Sequence, residues 1–177
     1  MERPIDELAQ RASETQEAAS RTVPMPSRVL LVAWILLLLL GALFLFGSLS
    51  DLLADARSGL PSDHLTAFST LAGVTWNSAQ HSSAIPQYIT SLEIAYAVHE
   101  LVFGLLFVII VAIPFRRRAR WAWWACWIPM AANLTYTYTI GHYGTTTLVY
   151  SLIADVALPV LLLLHLPAFF GKSGQTH

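Results

Sequence analysis

Charged residues and cysteine are scarce in this sequence. Asp, Glu, Lys and Arg make up only 12% of the 177 residues, against roughly 25% in soluble domains, which excludes an ordinary soluble protein. The net charge of -1 gives no general electrostatic basis for binding nucleic acid. The single cysteine, Cys126, excludes an internal disulfide and a cysteine-rich metal site. Hydrophobic residues reach 55% and form long blocks, so the bilayer is the solvent that the sequence fits.

Four hydrophobic blocks predict an all-α membrane protein, a bundle of four transmembrane helices. The block from Val29 to Gly47 has no polar side chain over 19 residues, and about 20 residues cross a bilayer core. Within a transmembrane domain of residues 29–170, the predicted helices cover about 29–49, 91–115, 121–141 and 148–170. Pro129 and Pro159 are predicted to kink the third and fourth helices, because proline lacks a backbone N–H.

The remaining segments are predicted to lie outside the bilayer. Residues 1–28 are rich in polar and charged side chains and are predicted to be a disordered cytoplasmic tail, and residues 171–177 form a second cytoplasmic tail. Residues 50–89 are predicted to be a long extracytoplasmic loop between helices 1 and 2. Its apolar residues suggest one short helix that lies on the bundle through Leu65, Phe68, Leu71, Val74 and Trp76.

The distribution of basic residues predicts that both termini are cytoplasmic. With this orientation nine of the ten Lys and Arg residues lie inside, and only Arg57 lies outside. The largest cluster is RRRAR, Arg116 to Arg120, which we interpret as the signal that holds this turn in the cytoplasm. Basic residues at that position also attract anionic lipid headgroups. The sequence therefore predicts a multi-pass protein of the cell inner (plasma) membrane.

The informative polar residues are those inside the predicted spans, because a charge near the bilayer centre costs roughly 2.5–3.5 kcal/mol. Glu100, Asn133 and Asp155 each lie about 12–13 Å from the outer end of their helix, at 1.5 Å per residue. Their equal depth predicts that they converge in one hydrogen-bonded cluster. The helical faces around them predict a polar pocket open to the outer side, with ligand-binding residues Glu93, Tyr96, His99, Asn133, Tyr136 and Ser151.

Three interpretations of these residues stay open at this point. They form interhelical hydrogen bonds only, or a ligand or substrate pocket, or a pathway for protons or electrons. A haem held by His99 and His142 is a weak alternative, because His142 lies close to the interface. His165 has no obvious partner in the sequence pattern. No cofactor and no metal site are predicted.

The leading functional hypothesis is an integral membrane protein that binds a lipid, another hydrophobic small molecule, or a membrane partner such as a second copy. The alternative is a membrane enzyme acting on an isoprenoid or sterol-like lipid, with Glu100 as proton donor and Asp155 as its counterpart. A subunit for proton-coupled transport or electron transfer is the third. Membrane lipids are expected partners, and nucleic acid is not.

Two sequence segments resemble parts of small, uncharacterised bacterial membrane proteins of four helices. These are the arginine-rich turn leading into the Trp-Ala-Trp-Trp helix, RRRARWAWWACWIP from Arg116 to Pro129, and the loop LAGVTWNSAQHSSAIPQY from Leu71 to Tyr88. The resemblance covers roughly Val29 to Phe170 and implies the four-helix fold but no activity. The more polar second helix departs from that pattern. In architecture alone, the chain is similar to four-helix sterol isomerases and sigma-two-type receptors, whose pockets use carboxylates and histidine.

Overall fold

Three long helices and a broken fourth segment form a bundle. The computed structural model describes residues 27–81 and 84–171. The long helices are α1 (Ser27–Ser58), α4 (Ile85–Ile110), which continues in a π-helical turn (Val111–Phe115), and α7 (Thr145–Phe170). The shorter helices are α2 (Ser62–Ala72), α3 (Trp76–Gln80), α5 (Arg120–Ala125) and α6 (Ile128–Thr139), and a 3₁₀ turn (Gly141–Tyr143) follows α6.

Three helical segments are long and apolar enough to cross a membrane, namely Arg28–Ser58, Ile85–Phe115 and Thr145–Phe170. Their outward faces carry large apolar side chains, such as Leu43 at 64% and Phe46 at 71% exposure. Such a surface suits lipid, since soluble monomers rarely expose contiguous apolar patches of this kind. The predicted all-α class is confirmed, and the three candidate spans agree with a multi-pass membrane protein.

The segment predicted as an outer loop, 50–89, is mostly helical. Helix α1 continues to Ser58, α2 and α3 follow, and α4 begins at Ile85. Serine hydroxyls in the extension of α1 donate to carbonyls one turn back, as from Ser50 to Phe46 at 2.8 Å, so polar residues do not end the helix. The predicted short helix is divided, because α2 ends at Ala72, Val74 lies in the turn that follows, and Trp76 begins α3. Leu65 and Leu71 on its predicted apolar face are exposed.

The boundaries of the other predicted segments also shift. The third predicted helix, 121–141, is split into α5 and α6, and Pro129 lies in the first turn of α6, where a missing N–H is tolerated. Instead of the predicted kink at this proline, the helix is interrupted just before it. Helix α7 instead runs through Pro159 as one helix. Helix α1 takes in Ser27 and Arg28 of the predicted N-terminal tail, and the tail residues 1–26 and 172–177 lie outside the described residues.

The packing centres on α1, which contacts α4 on one side and α7 on the other, while α6 packs on α7. Glycine allows the close approach of α1 and α4, because a Cβ on Gly41 would lie 2.7 Å from Val108 Cγ2. The apolar core lies in the half of the bundle next to the arginine turn. It includes Leu37, Phe107, Val111, Phe115, Trp123, Leu158 and Leu162.

Contacts between helix ends define the direction of each segment. The ring of Phe115 lies 4.7 Å from that of Phe169, and His165 Nε2 lies 3.2 Å from the Leu30 carbonyl oxygen. The start of α1 therefore meets the ends of α4 and α7. The pair α5–α6 returns alongside α7, since Trp123 Nε1 donates to the Leu162 carbonyl at 2.9 Å near the arginine end.

Candidate functional site

A cavity of about 320 Å³ lies between α1, α4 and α6 in the half of the bundle away from the arginine turn. Apolar side chains from α1 and α4 form one part of its lining, with Leu43, Phe44, Phe103 and Phe107. Polar side chains form the other part, with Asp51, Tyr96, His99, Glu100, Asn133 and Tyr136. The cavity is therefore amphipathic, and it brings together polar residues from three segments of the chain.

The cavity exists because α4 and α6 do not pack closely against each other. Each contacts a different neighbour, α1 for α4 and α7 for α6. The residues that line the space between them include Gly47, Gly104 and Ala132, which carry little or no side chain. Gly47 in particular has no atom within 4 Å of the position that a Cβ would take.

Asp155 is held by two side chains of α6. Asn133 Nδ2 donates to Asp155 Oδ1 at 2.7 Å, and the Thr137 hydroxyl donates to Asp155 Oδ2 at 2.9 Å. Asn133 Nδ2 also donates to the carbonyl of Ser151 at 3.1 Å. Each carboxylate oxygen thus has a donor, which compensates the burial of this acid. The predicted convergence of Asn133 and Asp155 is confirmed.

Glu100 takes a different position from the one predicted. It lines the cavity together with Asn133, and it interacts with Tyr96 one turn earlier on α4. Within the described part of the chain, no hydrogen bond joins its carboxylate to Asn133 or Asp155. Asp155 is not among the residues that line the cavity. The three-residue cluster is therefore an Asn133–Asp155–Thr137 group beside a cavity that contains Glu100.

Helix α2 adds a histidine and a carboxylate to this end of the bundle. His64 Nδ1 lies 2.9 Å from Glu93 Oε2, so Glu93 on α4 binds a residue of α2. The Tyr136 hydroxyl on α6 donates to Asp63 Oδ2 at 2.5 Å. These two contacts fix α2 across the ends of α4 and α6.

The surroundings of His64 favour its protonated form. Burial lowers the pKa of this imidazole, but the hydrogen bond with Glu93 and the charges of Asp63, Glu93 and Asp51 outweigh burial and raise the pKa above 6.5. While His64 carries its second proton, the contact with Glu93 has the character of an ion pair.

Sequence reasoning missed Asp51, Asp55, Asp63 and His64, because it placed them in a loop. The spacing of Asp51 and Asp55 at i and i+4 was the available signal, since a continued α1 puts both on one face. Asp55 is only 2% exposed, and neither carboxylate oxygen has a hydrogen-bond partner among the described residues. Such a group costs free energy unless it is compensated.

The other predicted residues have local partners. His99 lines the cavity, and its Nδ1 lies 2.6 Å from the Ala95 carbonyl oxygen. Ser151 is buried, and its backbone carbonyl accepts a hydrogen bond from Asn133 Nδ2. His142 stacks on Tyr143 with ring centroids 4.0 Å apart. His165, for which the sequence suggested no partner, contacts the carbonyls of Leu161 and Leu30.

No three His, Cys, Asp or Glu side chains within residues 27–81 and 84–171 are arranged to hold a metal ion. Comparison of the chain with protein-family models, curated proteins and solved structures finds no match. The resemblance to small four-helix bacterial membrane proteins stays a prediction.

Proposed function

We propose that this protein binds one amphipathic, lipid-like molecule in the cavity between α1, α4 and α6. The observation that carries the proposal is the division of the lining into an apolar part and a polar part. Leu43, Phe44 and Phe103 would contact the hydrocarbon portion, and Glu100 and Asn133 would bind the polar end. A volume of about 320 Å³ lies at the lower end of the range of small-molecule pockets, about 300–1,000 Å³.

The charge of the lining selects the polar end of the ligand. Asp51 and Glu100 contribute carboxylates to the cavity, and no lysine or arginine of the described chain lines it. An anionic headgroup is disfavoured there, because like charges repel. A hydroxyl or amine fits, since it donates to carboxylate oxygens. The proposed ligand is an amphiphile with a small, hydrogen-bond-donating end.

The cavity is accessible from the side of the bundle. Among its lining residues, Leu43 is 64% exposed and Phe103 is 53% exposed, so protein does not enclose the apolar part completely. In a bilayer these side chains face hydrocarbon, and a lipid-like ligand would enter laterally between α4 and α6. Such a route requires no large movement of the helices.

The geometry favours binding over the acid–base reaction considered from the sequence. A reaction would use Glu100 and Asp155 as a pair, and both groups would have to reach the substrate. Asp155 instead accepts from Asn133 and Thr137 and is absent from the cavity lining. Glu100 alone would serve as an anchor for the ligand.

We further propose four membrane crossings with the arginine turn in the cytoplasm. The chain leaves α4 at the arginine turn and enters α7 at the end where α2 contacts the 3₁₀ turn. If α4 and α7 both cross, α5–α6 must cross between them, and Arg120–Thr139 has about 20 residues for this. With three crossings, the end of α4 and the start of α7 would lie on the same side of the membrane. The antiparallel packing of α5–α6 along α7 places them at opposite ends of the bundle.

Thiol labelling tests this topology in a Cys126→Ser background. Asn77→Cys at the α2–α3 end and Arg117→Cys at the arginine turn are both exposed positions. An impermeant reagent applied to intact cells is expected to label position 77 only, and permeabilised cells should show both. Labelling of position 117 alone would reverse the orientation. His142→Cys, at an exposed position of the 3₁₀ turn after α6, tests the crossing of α5–α6. It should be labelled in intact cells, and labelling only after permeabilisation would remove that crossing.

A cavity-filling substitution tests the proposed binding function. Gly47→Phe places a ring into the cavity without a clash near its Cβ, because nothing lies within 4 Å of that position. The full-length protein, purified gently in a mild detergent, is expected to retain one enriched lipid species detectable by native mass spectrometry and lipid analysis. Gly47→Phe should lower its occupancy at least tenfold.

The matched control is Ala42→Phe, an exposed position of the same helix that does not line the cavity. It should leave the occupancy within about twofold of the unmodified protein. Equal occupancy in Gly47→Phe and the control, or a bound lipid mixture identical to that of the whole membrane, would contradict the proposal. Equal unfolding temperatures of the two variants would confirm that both are folded.

A further inference from the structure

A second cavity, of about 210 Å³, lies at the opposite end of the bundle. It is formed by the start of α1, the turn after α4 and the last residues of α7. Leu30, Trp34, Phe115 and Phe169 contribute apolar walls, and Arg116, Arg118 and His165 contribute the polar groups. This cavity shares no residue with the cavity described above.

The arginines of this cavity have no acidic partner in the described part of the chain. The six acids there are Asp51, Asp55, Asp63, Glu93, Glu100 and Asp155, and none of them lines the cavity. The ion pairs of residues 27–81 and 84–171 involve only His64, at the other end of the bundle. The positive charge of Arg116 and Arg118 is therefore available to a ligand.

Arg116 is held in place by an aromatic ring. Its guanidinium carbon lies 5.2 Å from the centre of the Trp34 ring, within the range of a cation–π contact. The indole of Trp34 is itself fixed, because Nε1 donates to the Val111 carbonyl at 2.9 Å. A guanidinium held over an aromatic ring keeps N–H groups for a planar or tetrahedral anion, which arginine binds with two hydrogen bonds.

Arg118 has a backbone conformation that an arginine adopts only at a cost. Its φ is +56°, and it is the single described residue other than glycine with a positive φ. Side chains other than those of glycine, asparagine and aspartate are uncommon there, and strain of this kind is frequent at ligand-binding sites. This turn places the Arg118 side chain at the cavity.

His165 adds a buried imidazole to the same wall. It is 5% exposed, with Nδ1 at 2.8 Å from the Leu161 carbonyl oxygen and Nε2 at 3.2 Å from that of Leu30. The two carbonyls hold the imidazole ring in the wall of the cavity. Its edge also contacts the Phe115 ring, with centroids 5.0 Å apart.

We propose that this cavity binds the phosphate group of an acidic membrane lipid through Arg116 and Arg118. A lipid headgroup and a free phosphate offer the arginines the same charged group. The apolar walls favour the phosphate that carries acyl chains. Leu31, which also lines the cavity, is 55% exposed, so an acyl chain would continue along α1 into the bilayer. The proposal does not depend on the first cavity or on its ligand.

Titration with short-chain lipids tests this site on the full-length protein in a neutral detergent. Dioctanoyl-phosphatidylglycerol is added, with dioctanoyl-phosphatidylcholine as the zwitterionic comparison, and the unfolding temperature and native mass spectra are recorded. The phosphatidylglycerol is expected to bind at least tenfold more tightly. Arg116→Gln and Arg118→Gln should each weaken its binding at least fivefold, the equivalent of about 1 kcal/mol per basic residue.

Arg117→Gln is the matched control, because Arg117 belongs to the same turn, is exposed and does not line the cavity. It should change the affinity less than twofold, and an equal loss in all three variants would reduce the effect to general surface charge and overturn the site. Arg118→Gly adds a folding check. Without lipid its unfolding temperature should equal or exceed that of the unmodified protein, because glycine accepts positive φ, while phosphatidylglycerol binding is lost.

Two further measurements test which group the arginines bind, a lipid phosphate, a free phosphate or an acid of the N-terminal segment. Inorganic phosphate and glycerol phosphate should each bind at least tenfold more weakly than the lipid, and equal binding would overturn the assignment to a lipid. The N-terminal segment has five acids, Glu2, Asp6, Glu7, Glu14 and Glu17. Changing all five to amides should leave lipid affinity within about threefold, and a gain of tenfold or more would assign the arginines to this segment instead.

Discussion

At the scale of single residues, two buried carboxylates differ in their hydrogen bonds. Asp155 accepts hydrogen bonds on both oxygens, from Asn133 and Thr137. Asp55 is also buried but has no such donor within the described residues. Because an unmade hydrogen bond costs more than a made one contributes, replacement of the two residues is expected to have opposite effects on stability.

The Asn133–Asp155 pair should behave as one unit in a double-mutant cycle. Asn133→Leu and Asp155→Leu each leave a partner unsatisfied, so we expect a coupling free energy of about 1–3 kcal/mol between them. Glu100→Leu and Asp155→Leu should be additive within about 0.5 kcal/mol, since no hydrogen bond joins these two side chains. Unfolding free energies from SDS titration in mixed micelles measure both cycles. Strong coupling of Glu100 to Asp155 would restore the three-residue cluster predicted from the sequence.

Asp55→Leu is expected to stabilise the protein. The substitution removes a buried polar group without a partner, whose cost is about 1–3 kcal/mol, and leucine adds apolar surface to α1. Asp63→Leu is the comparison, because it removes the acceptor of the Tyr136 hydroxyl and should destabilise. Thermal unfolding in detergent reports both variants. A lower unfolding temperature for Asp55→Leu would show that this carboxylate has a partner after all.

At the scale of elements, glycine decides how closely α1 and α4 approach. Membrane helices associate through small residues, because lipid provides no hydrophobic driving force between them. A Cβ on Gly41 would meet Val108 Cγ2 at 2.7 Å and Phe107 Cδ1 at 3.0 Å. On the α4 side, a Cβ on Gly104 would meet Leu45 Cδ2 at 3.1 Å. Two glycines thus set the spacing of one helix pair.

Gly41→Ala should therefore separate α1 from α4 and lower stability by about 1–3 kcal/mol, the usual cost of overpacking. Gly47→Ala on the same helix is the control, because its Cβ would meet nothing within 4 Å. It should be neutral or stabilising, since alanine favours helix by up to about 1 kcal/mol over glycine. Unfolding temperatures in one detergent compare the two. Equal effects would mean that helix propensity outweighs packing at position 41.

At the scale of the whole molecule, charge is divided between the two ends of the bundle. Carboxylates of α1, α2 and α4 gather at one end with His64, and the arginine turn lies at the other. Helix α2 is joined to α4 and α6 at the acidic end by two contacts, His64 with Glu93 and Asp63 with Tyr136. These contacts join α2, α4 and α6, which are distant in the sequence, so the packing of this end of the bundle depends on them.

The His64 contact makes stability depend on pH. The pKa of His64 is raised above its unfolded value of 6.5, so its stabilising contribution is fully present below that value and is lost as pH rises through the folded pKa. The unfolding temperature should fall as the pH is raised from about 6.5 through the pKa of folded His64. His64→Gln should reduce this fall, and His81→Gln, at an exposed histidine, should leave it unchanged. An identical pH profile in His64→Gln would contradict the role of this contact.

The sequence by itself determined the class of protein and the positions of its apolar helices. Long runs such as Val29 to Gly47 have one stable solution in a bilayer, because only a helix satisfies every backbone group there. The depths of Asn133 and Asp155 also followed from the rise per residue. Hydropathy and helical geometry are local quantities, and they can be computed without knowing which helices are neighbours.

Only the tertiary structure decided which polar groups meet and where space remains between them. Composition made residues 50–89 look like a loop, yet the helical extension of α1 places Asp51 in the cavity, and α2 brings His64 to Glu93. The gap between α4 and α6 arises because each packs on a different partner. Cavities and long-range hydrogen bonds depend on the relative placement of helices, and no local pattern specifies that placement.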